Sequence, residues 1–270
     1  MPLLDDEIRL SPTADPAVLT TPISGVYLNF ARVAFGGWTM ATALSALERH
    51  PEWRGAVLTA NACFLEGLID CDAQVRRTLL SRKKRTDFWR VEIFAGEGGP
   101  LAFSVDVVAS LARTSEEDLQ TPPPDAPPFT AIEPLTAPKG PGWMGTFELR
   151  PIKGKPFEVN DDPETLLWIR FADGRPIDAK GLAALCDTPL PRIFMVSPHL
   201  RIVSTCSLTL TYCADAAAMA RAGSDPVLIQ TTTDRIAESR FHQRARLWSA
   251  SGDLLALSEQ VAIYSKPAPS

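Results

Sequence analysis

The chain is 270 residues long, 45% hydrophobic and 22% charged, with a net charge of −5 and a pI near 5.3. That length supports one large or two medium cores, and the acidic balance argues against nucleic acid as a partner, because phosphate binding requires a basic face. Five cysteines with no framework spacing and no C-x-x-C pair point to a reducing compartment and away from a structural zinc. The N-terminus is acidic where a secretory signal would be basic, and no apolar run approaches the roughly 20 residues of a membrane-spanning helix. The expectation is a cytoplasmic, soluble protein with no membrane partner, no metal and no cofactor.

Residues 1–20, polar and proline-bearing, read as a loosely attached lead-in, and Ile23 to Phe30 as a first strand. Phe35-Gly36-Gly37-Trp38 then opens the clearest helix in the chain. Trp38, Met40, Ala41, Leu44 and Leu47 fall at helical spacing with Ala43 and Ala46 between them. Small apolar residues nearly all round imply a helix wrapped by other structure. Arg49 and His50 suit its negative end, and Pro51 stops it. Four alternating segments follow at 56–65, 73–80, 88–94 (FWRVEIF) and 101–110, with a glycine hairpin turn at 96–99 and the basic run Ser81 to Arg85 between the second and third. Four tryptophans, Trp38, Trp89, Trp168 and Trp248, read as core residues.

Eight prolines between Thr121 and Pro141 rule out a helix or central strand there and divide the chain. The expected units are 1–110, a linker at 111–145, and 146–270. Beyond the linker the same grammar returns. Thr165 to Phe171 reads as a strand, Asp173-Gly174 as a turn and Asp178 to Cys186 as a small-residue helix. Leu200 to Tyr212 is a long strand, and Pro226 to Thr232, Phe241 to Trp248 and Leu254 to Tyr264 form a second meander. Residues 101–107 (LAFSVDV) match 255–261 (LALSEQV) at an offset of 154, and Phe88 precedes one hairpin as Phe241 precedes the other. Two copies of strand, helix and antiparallel meander predict an α+β protein. Each sheet wraps one helix, which in tandem makes a double hotdog.

The order of the FGGW helix start, the FWRVEIF hairpin, the proline-rich middle and the degenerate second copy resembles the bacterial acyl-CoA thioesterase II type, from about Ile23 to Tyr264. The resemblance implies hydrolysis of acyl-CoA by an Asp, a Thr and a Gln of the second repeat that hold and activate a water. Matched position by position these are Asp187 in 182–191 (LAALCDTPLP), Thr205 in 204–207 (STCS) and Gln260 in 257–261 (LSEQV). The chain departs from the family at Ser207-Leu208, where an Asp-His pair is often found. A one-residue shift in the last strand would bring Glu259 in place of Gln260, but the internal repeat pairs Gln260 with Asp106 and favours Gln260. By family analogy the protein pairs as a homodimer and takes acyl-CoA as substrate.

The chemistry fits those residue types. Asp187 as general base would take the proton of water, and burial against Leu185 and Leu190 would raise its pKa usefully. Thr205 and Gln260 both donate and accept, so they can hold that water. Gly36 and Gly37, bare backbone at a helix N-terminus, are candidate oxyanion donors. Each group also has a plainer role: Asp187, followed closely by proline, has the pattern of a helix N-cap, Thr205 and Gln260 are ordinary strand residues, and Gly36-Gly37 is a tight turn. The run 81–85 is a solvated hairpin end, or more sharply a clamp of Arg82 to Arg85 on the phosphates of CoA. Thr205 aligns roughly with Thr59 and Asp187 with Ala41, so the first copy lacks the carboxylate and one active site is expected, in the second copy. A hotdog hydratase would need an Asp and His pair, for which only His199 lies near Asp187 in sequence. A non-catalytic acyl-CoA-binding protein is the third reading.

Overall fold

Alternation of apolar and polar residues along every long segment produces strands that bury one face, and the strands join edge to edge. The computed structural model describes residues 4–112, 115–135, 141–154, 160, 162–199 and 201–266. The first unit contains α1 (Leu4–Glu7), β1 (Ser11–Pro12), β2 (Val18–Pro22), α2 (Gly36–Glu48), β3 (Ala56–Phe64), β4 (Asp72–Arg82), β5 (Thr86–Phe94) and β6 (Leu101–Ser110). The second contains β7 (Phe147–Lys153), β8 (Thr165–Phe171), α3 (Ala179–Cys186), β9 (Val203–Tyr212), α4 (Ala216–Ala222), β10 (Val227–Thr232), β11 (Ile236–Ala237), β12 (Arg240–Trp248) and β13 (Leu254–Tyr264). The thirteen strands form one antiparallel sheet in the order β1-β2-β4-β5-β6-β3-β9-β13-β12-β10-β8-β7, with β11 on β12. The two copies meet where β3 pairs with β9, and the sheet curls round α2 and α3. This is the double hotdog.

The helix α2 is buried from Gly37 to Leu47, as its all-round small-residue surface requires. It lies antiparallel to α3. Lys180 at the start of α3 reaches Glu48 at the end of α2, and the α3 carbonyl of Ala184 lies close to Gly37 at the start of α2.

Three expectations need correction. The described part of the lead-in, residues 4–20, is not loose: Leu4 and Ile8 are fully buried in the main core, and β2 pairs with β4. The first long strand is Val18–Pro22 rather than Ile23 to Phe30, because Thr20 and Thr21 satisfy the ladder that polar composition seemed to exclude. The strand β7 was not expected, since Pro151 and the charges around it break the apolar pattern; it forms an outer edge, where a missing N–H is tolerated. The stretch 120–135 runs over the second unit. There the Trp168 and Trp248 indoles donate to the Pro127 and Thr121 carbonyls, and a small cluster packs beneath Ala126 and Phe129.

Candidate active site

The end of α3 delivers the carboxylate. Asp178 is the N-cap, its side chain accepting from the Gly181 N–H, and Asp187 is the C-cap. The N-cap pattern read at Asp187 is therefore wrong: Thr188 and Pro189 follow the helix rather than begin one. A carboxylate at a helix C-terminus faces the negative end of that helix's dipole, an unfavourable place. It is offset because the antiparallel arrangement brings the positive end of α2 to the same spot.

The approach between the two helix ends is close enough to dictate glycine. A Cβ on Gly36 would lie 2.6 Å from Asp187 Oδ2 and 3.0 Å from the Phe64 ring, and one on Gly37 would lie 2.7 Å from the Ala184 carbonyl oxygen. Burial in this apolar corner pushes the Asp187 carboxyl up to about 7, opposed in part by the Gly37 backbone N–H and the Gln260 amide. The Gly37 N–H, expected to face an oxyanion, is thus directed to the carboxylate itself.

The three residues matched by resemblance come together. Gln260 Nε2 donates to Asp187 Oδ1 at 2.8 Å and to Thr205 Oγ1 at 2.8 Å. An amide nitrogen has two hydrogens, so both are committed. Gln260 therefore ties the carboxylate to the hydroxyl, and water in this site is left to the free Asp187 lone pairs and the Thr205 O–H. Gln260 is 7% exposed and faces inward, while Glu259 faces out.

The pairing of Gln260 with Asp106 does not hold in the structure. Asp106 lies on the outer face, its side chain 48% exposed and paired with Arg90. Both copies carry a register irregularity at the same place. In the first, Val57 pairs with Ala109 and Thr59 with Val108, passing over Leu58. In the second, Thr205 pairs with Ala262 and Ser207 with Val261, passing over Cys206. Superposing the two irregularities puts Gln260 on Val107 and Thr205 on Val57, so the first copy is apolar at both positions. The rough match of Thr205 to Thr59 is corrected in the same way.

Other candidates lie elsewhere. Arg82 is held by Glu52 and Asp87 beyond the C-terminal end of α2, the end opposite Gly36. Arg85 reaches the Ala112 carbonyl, so the basic run is not brought to Asp187. His199 is exposed, and Leu208, where the family often has a polar pair, is fully buried directly across from Gln260.

One contributor escaped the sequence reading. Gln243 on β12 stands directly across from Gln260, 4% exposed, its Nε2 donating to Gln260 Oε1 at 2.7 Å and to the Pro189 carbonyl at 3.2 Å. Its position was signalled by parity, because Phe241, Gln243, Ala245 and Leu247 share the buried face of the strand.

Residues 118–264 match the family described as acyl-CoA thioesterase C-terminal domain. Among solved structures, a hot dog protein of unknown function from Alicyclobacillus acidocaldarius is similar at 27% identity and TM-score 0.92, covering 98% of both chains. A putative thioesterase II from Thermobifida fusca YX is similar at 15% identity and TM-score 0.79, covering 97% of each. An acyl-CoA thioesterase II from Mycobacterium marinum is similar at 15% identity and TM-score 0.78, covering 98% of this chain and 99% of that one. No match was found among curated proteins.

Proposed function

The chain belongs to the acyl-CoA thioesterase family and is a hydrolase of thioester bonds, and we propose that it cleaves acyl-CoA to a free carboxylic acid and CoA at Asp187. The observation that carries this reading is the single amide of Gln260 bonded to both Asp187 and Thr205. Asp187, poised near 7, takes a proton from a water that the Thr205 hydroxyl also holds. The water oxygen attacks the thioester carbon. The negative charge that develops on the carbonyl oxygen meets the N-terminus of α2, where the Gly36 N–H has no partner earlier in its own helix. The tetrahedral intermediate expels CoA as thiolate, which needs little help from an acid.

An apolar cavity of about 20 Å³ lies against Thr188, walled by Leu149, Leu167, Leu190 and Met195. That is roughly the room of one water, too little for an acyl chain. The hydratase reading loses ground because no histidine faces Asp187 among the described residues. Incubation with palmitoyl-CoA tests the assignment: thiol should be released by the native protein and not by Asp187→Asn. Hydration of an enoyl-CoA without thiol release would favour the hydratase instead, and tight binding of palmitoyl-CoA without turnover a binding protein.

A further inference from the structure

We infer that Gln243 is a positioning residue for this site, the member of a polarity relay that fixes which end of the Gln260 amide faces Asp187. The inference rests on the hydrolase reading above and extends it by one residue that touches neither Asp187 nor Thr205.

The relay starts from a group that cannot change its role. The Pro189 carbonyl oxygen only accepts, so the Gln243 group 3.2 Å away is the NH2 end. The other hydrogen of that nitrogen points at Gln260, 2.7 Å away, and so requires the oxygen of Gln260 there. The Gln260 nitrogen is then left facing Asp187 and Thr205, each at 2.8 Å. Were the Gln260 amide reversed, its oxygen would oppose the Asp187 carboxylate and the Thr205 hydroxyl would have to turn its proton toward it. The attacking water would then lose its donor partner. Pro189 stands two residues after Asp187, so one loop supplies both the base and the anchor that orients its partner.

This arrangement is not the one that stability alone would choose. Gln243 Oε1 is buried and has no partner among the described residues, a position that normally selects against a polar side chain. The first copy shows the apolar alternative, with Val91 and Trp89 facing inward on its corresponding hairpin strand. A polar group kept in a core at this cost, and bonded to a residue of the candidate site, is best explained by what it orients.

The charged and titratable groups on the elements around Asp187 leave the amide relay as the adjustable influence. Cys186 on α3 is a fully buried neutral thiol. Glu259 on β13 lies on the outer face, and His242 on β12 is turned to Asp234. Arg192 is spent on the Leu190 and Pro163 carbonyls and the Thr165 hydroxyl, and Glu48 lies at the far end of α2.

Gln243→Met, similar in volume and free of the orphaned oxygen, separates orientation from packing. Its melting temperature should fall modestly, because the Gln260 Oε1 and the Pro189 carbonyl lose their donor while one orphaned oxygen is removed. The titration of the Asp187 carboxyl carbon, followed by carbon-13 NMR, should move upward by about one pH unit as the oriented donor is lost. Palmitoyl-CoA hydrolysis should accordingly fall about tenfold in kcat at pH 6 and recover to within about twofold at pH 9, with KM little changed. The recovery follows because an ionised Asp187 itself draws the Gln260 NH2 back. Gln243→Asn, which keeps the amide but retracts it, serves in its place if the Met variant does not fold. A folded variant with an unmoved Asp187 titration overturns the inference. Failure of the native protein to release thiol would sink the hydrolase reading, while the NMR titration would still decide the relay.

Discussion

The paired helices α2 and α3 have two ends built from similar side chains to opposite effect. At one end Asp178 caps α3 and is gripped by Arg175 at 2.8 Å, with Lys180 bonded to Glu48 at 2.6 Å. Arg175, itself buried, also binds Asp5 of α1 at 2.9 Å. Burial pushes the Asp178 carboxyl up, but these cations more than offset it and hold the group below the usual carboxylate range. At the other end Asp187 has no cation among its described partners, only amides, and is raised to about 7. The charges of Asp178, Arg175, Lys180 and Glu48 at the first end are each paired. The uncompensated carboxylate at the second is the group that the proposed function uses as base. Near two-fold symmetry therefore presents the Asp-Gln-Thr arrangement in one copy, and Val57 and Val107 of the other stand where Thr205 and Gln260 stand in it.

Substitutions at the two ends should behave oppositely. Asp187→Asn should lower kcat by about 10³-fold, the loss of a positioned base, while making the protein more stable. The sign follows from the raised pKa. Folding disfavours the ionised carboxyl, so the cost is absent below pH 4, grows as pH rises toward 7 and is complete above it. A rise from 3.8 to about 7 corresponds to at most about 4 kcal/mol. Denaturant melts of the Asn variant should show the gain at pH 8 and little of it at pH 4. Gly36→Ala, whose Cβ would press on Asp187 Oδ2 and Phe64, should reduce kcat/KM by about 10²-fold, a displacement of reacting groups. Thr205→Val should cost about tenfold in kcat, whereas Val57→Thr in the first copy should leave turnover unchanged; single-turnover assays separate these from binding effects. Lys180→Met, at the compensated end, should lower stability by roughly 0.5–1 kcal/mol and leave hydrolysis within twofold.

Much of this was legible in the chain. Period-two alternation located most of the long strands, and the glycine pair with its small-residue helix marked the helix end that approaches Asp187. What was missed has a physical cause in each case. The burial of Leu4 and Ile8 depends on a tertiary groove that local composition does not reveal. The Pro151 strand survives because it is at an edge. The 154-residue offset matched letters but put Asp106 and Gln260 on opposite faces, an error that strand parity alone could have exposed. Gln243 lay on the buried face in plain alternation, yet a glutamine in a strand reads as surface until its partner is known. The cap role of Asp187 turned on where α3 ends, and the prolines after it marked the end as well as they would have marked a beginning.

The central claim is that the uncompensated end of the helix pair does the chemistry, and the pH dependence of kcat/KM for palmitoyl-CoA hydrolysis tests it most directly. The activity should rise tenfold per pH unit below a single midpoint near 7 and level off above it, following the ionisation of Asp187. Full activity persisting at pH 5, or an Asp187→Asn variant that retains the native profile, would contradict the account.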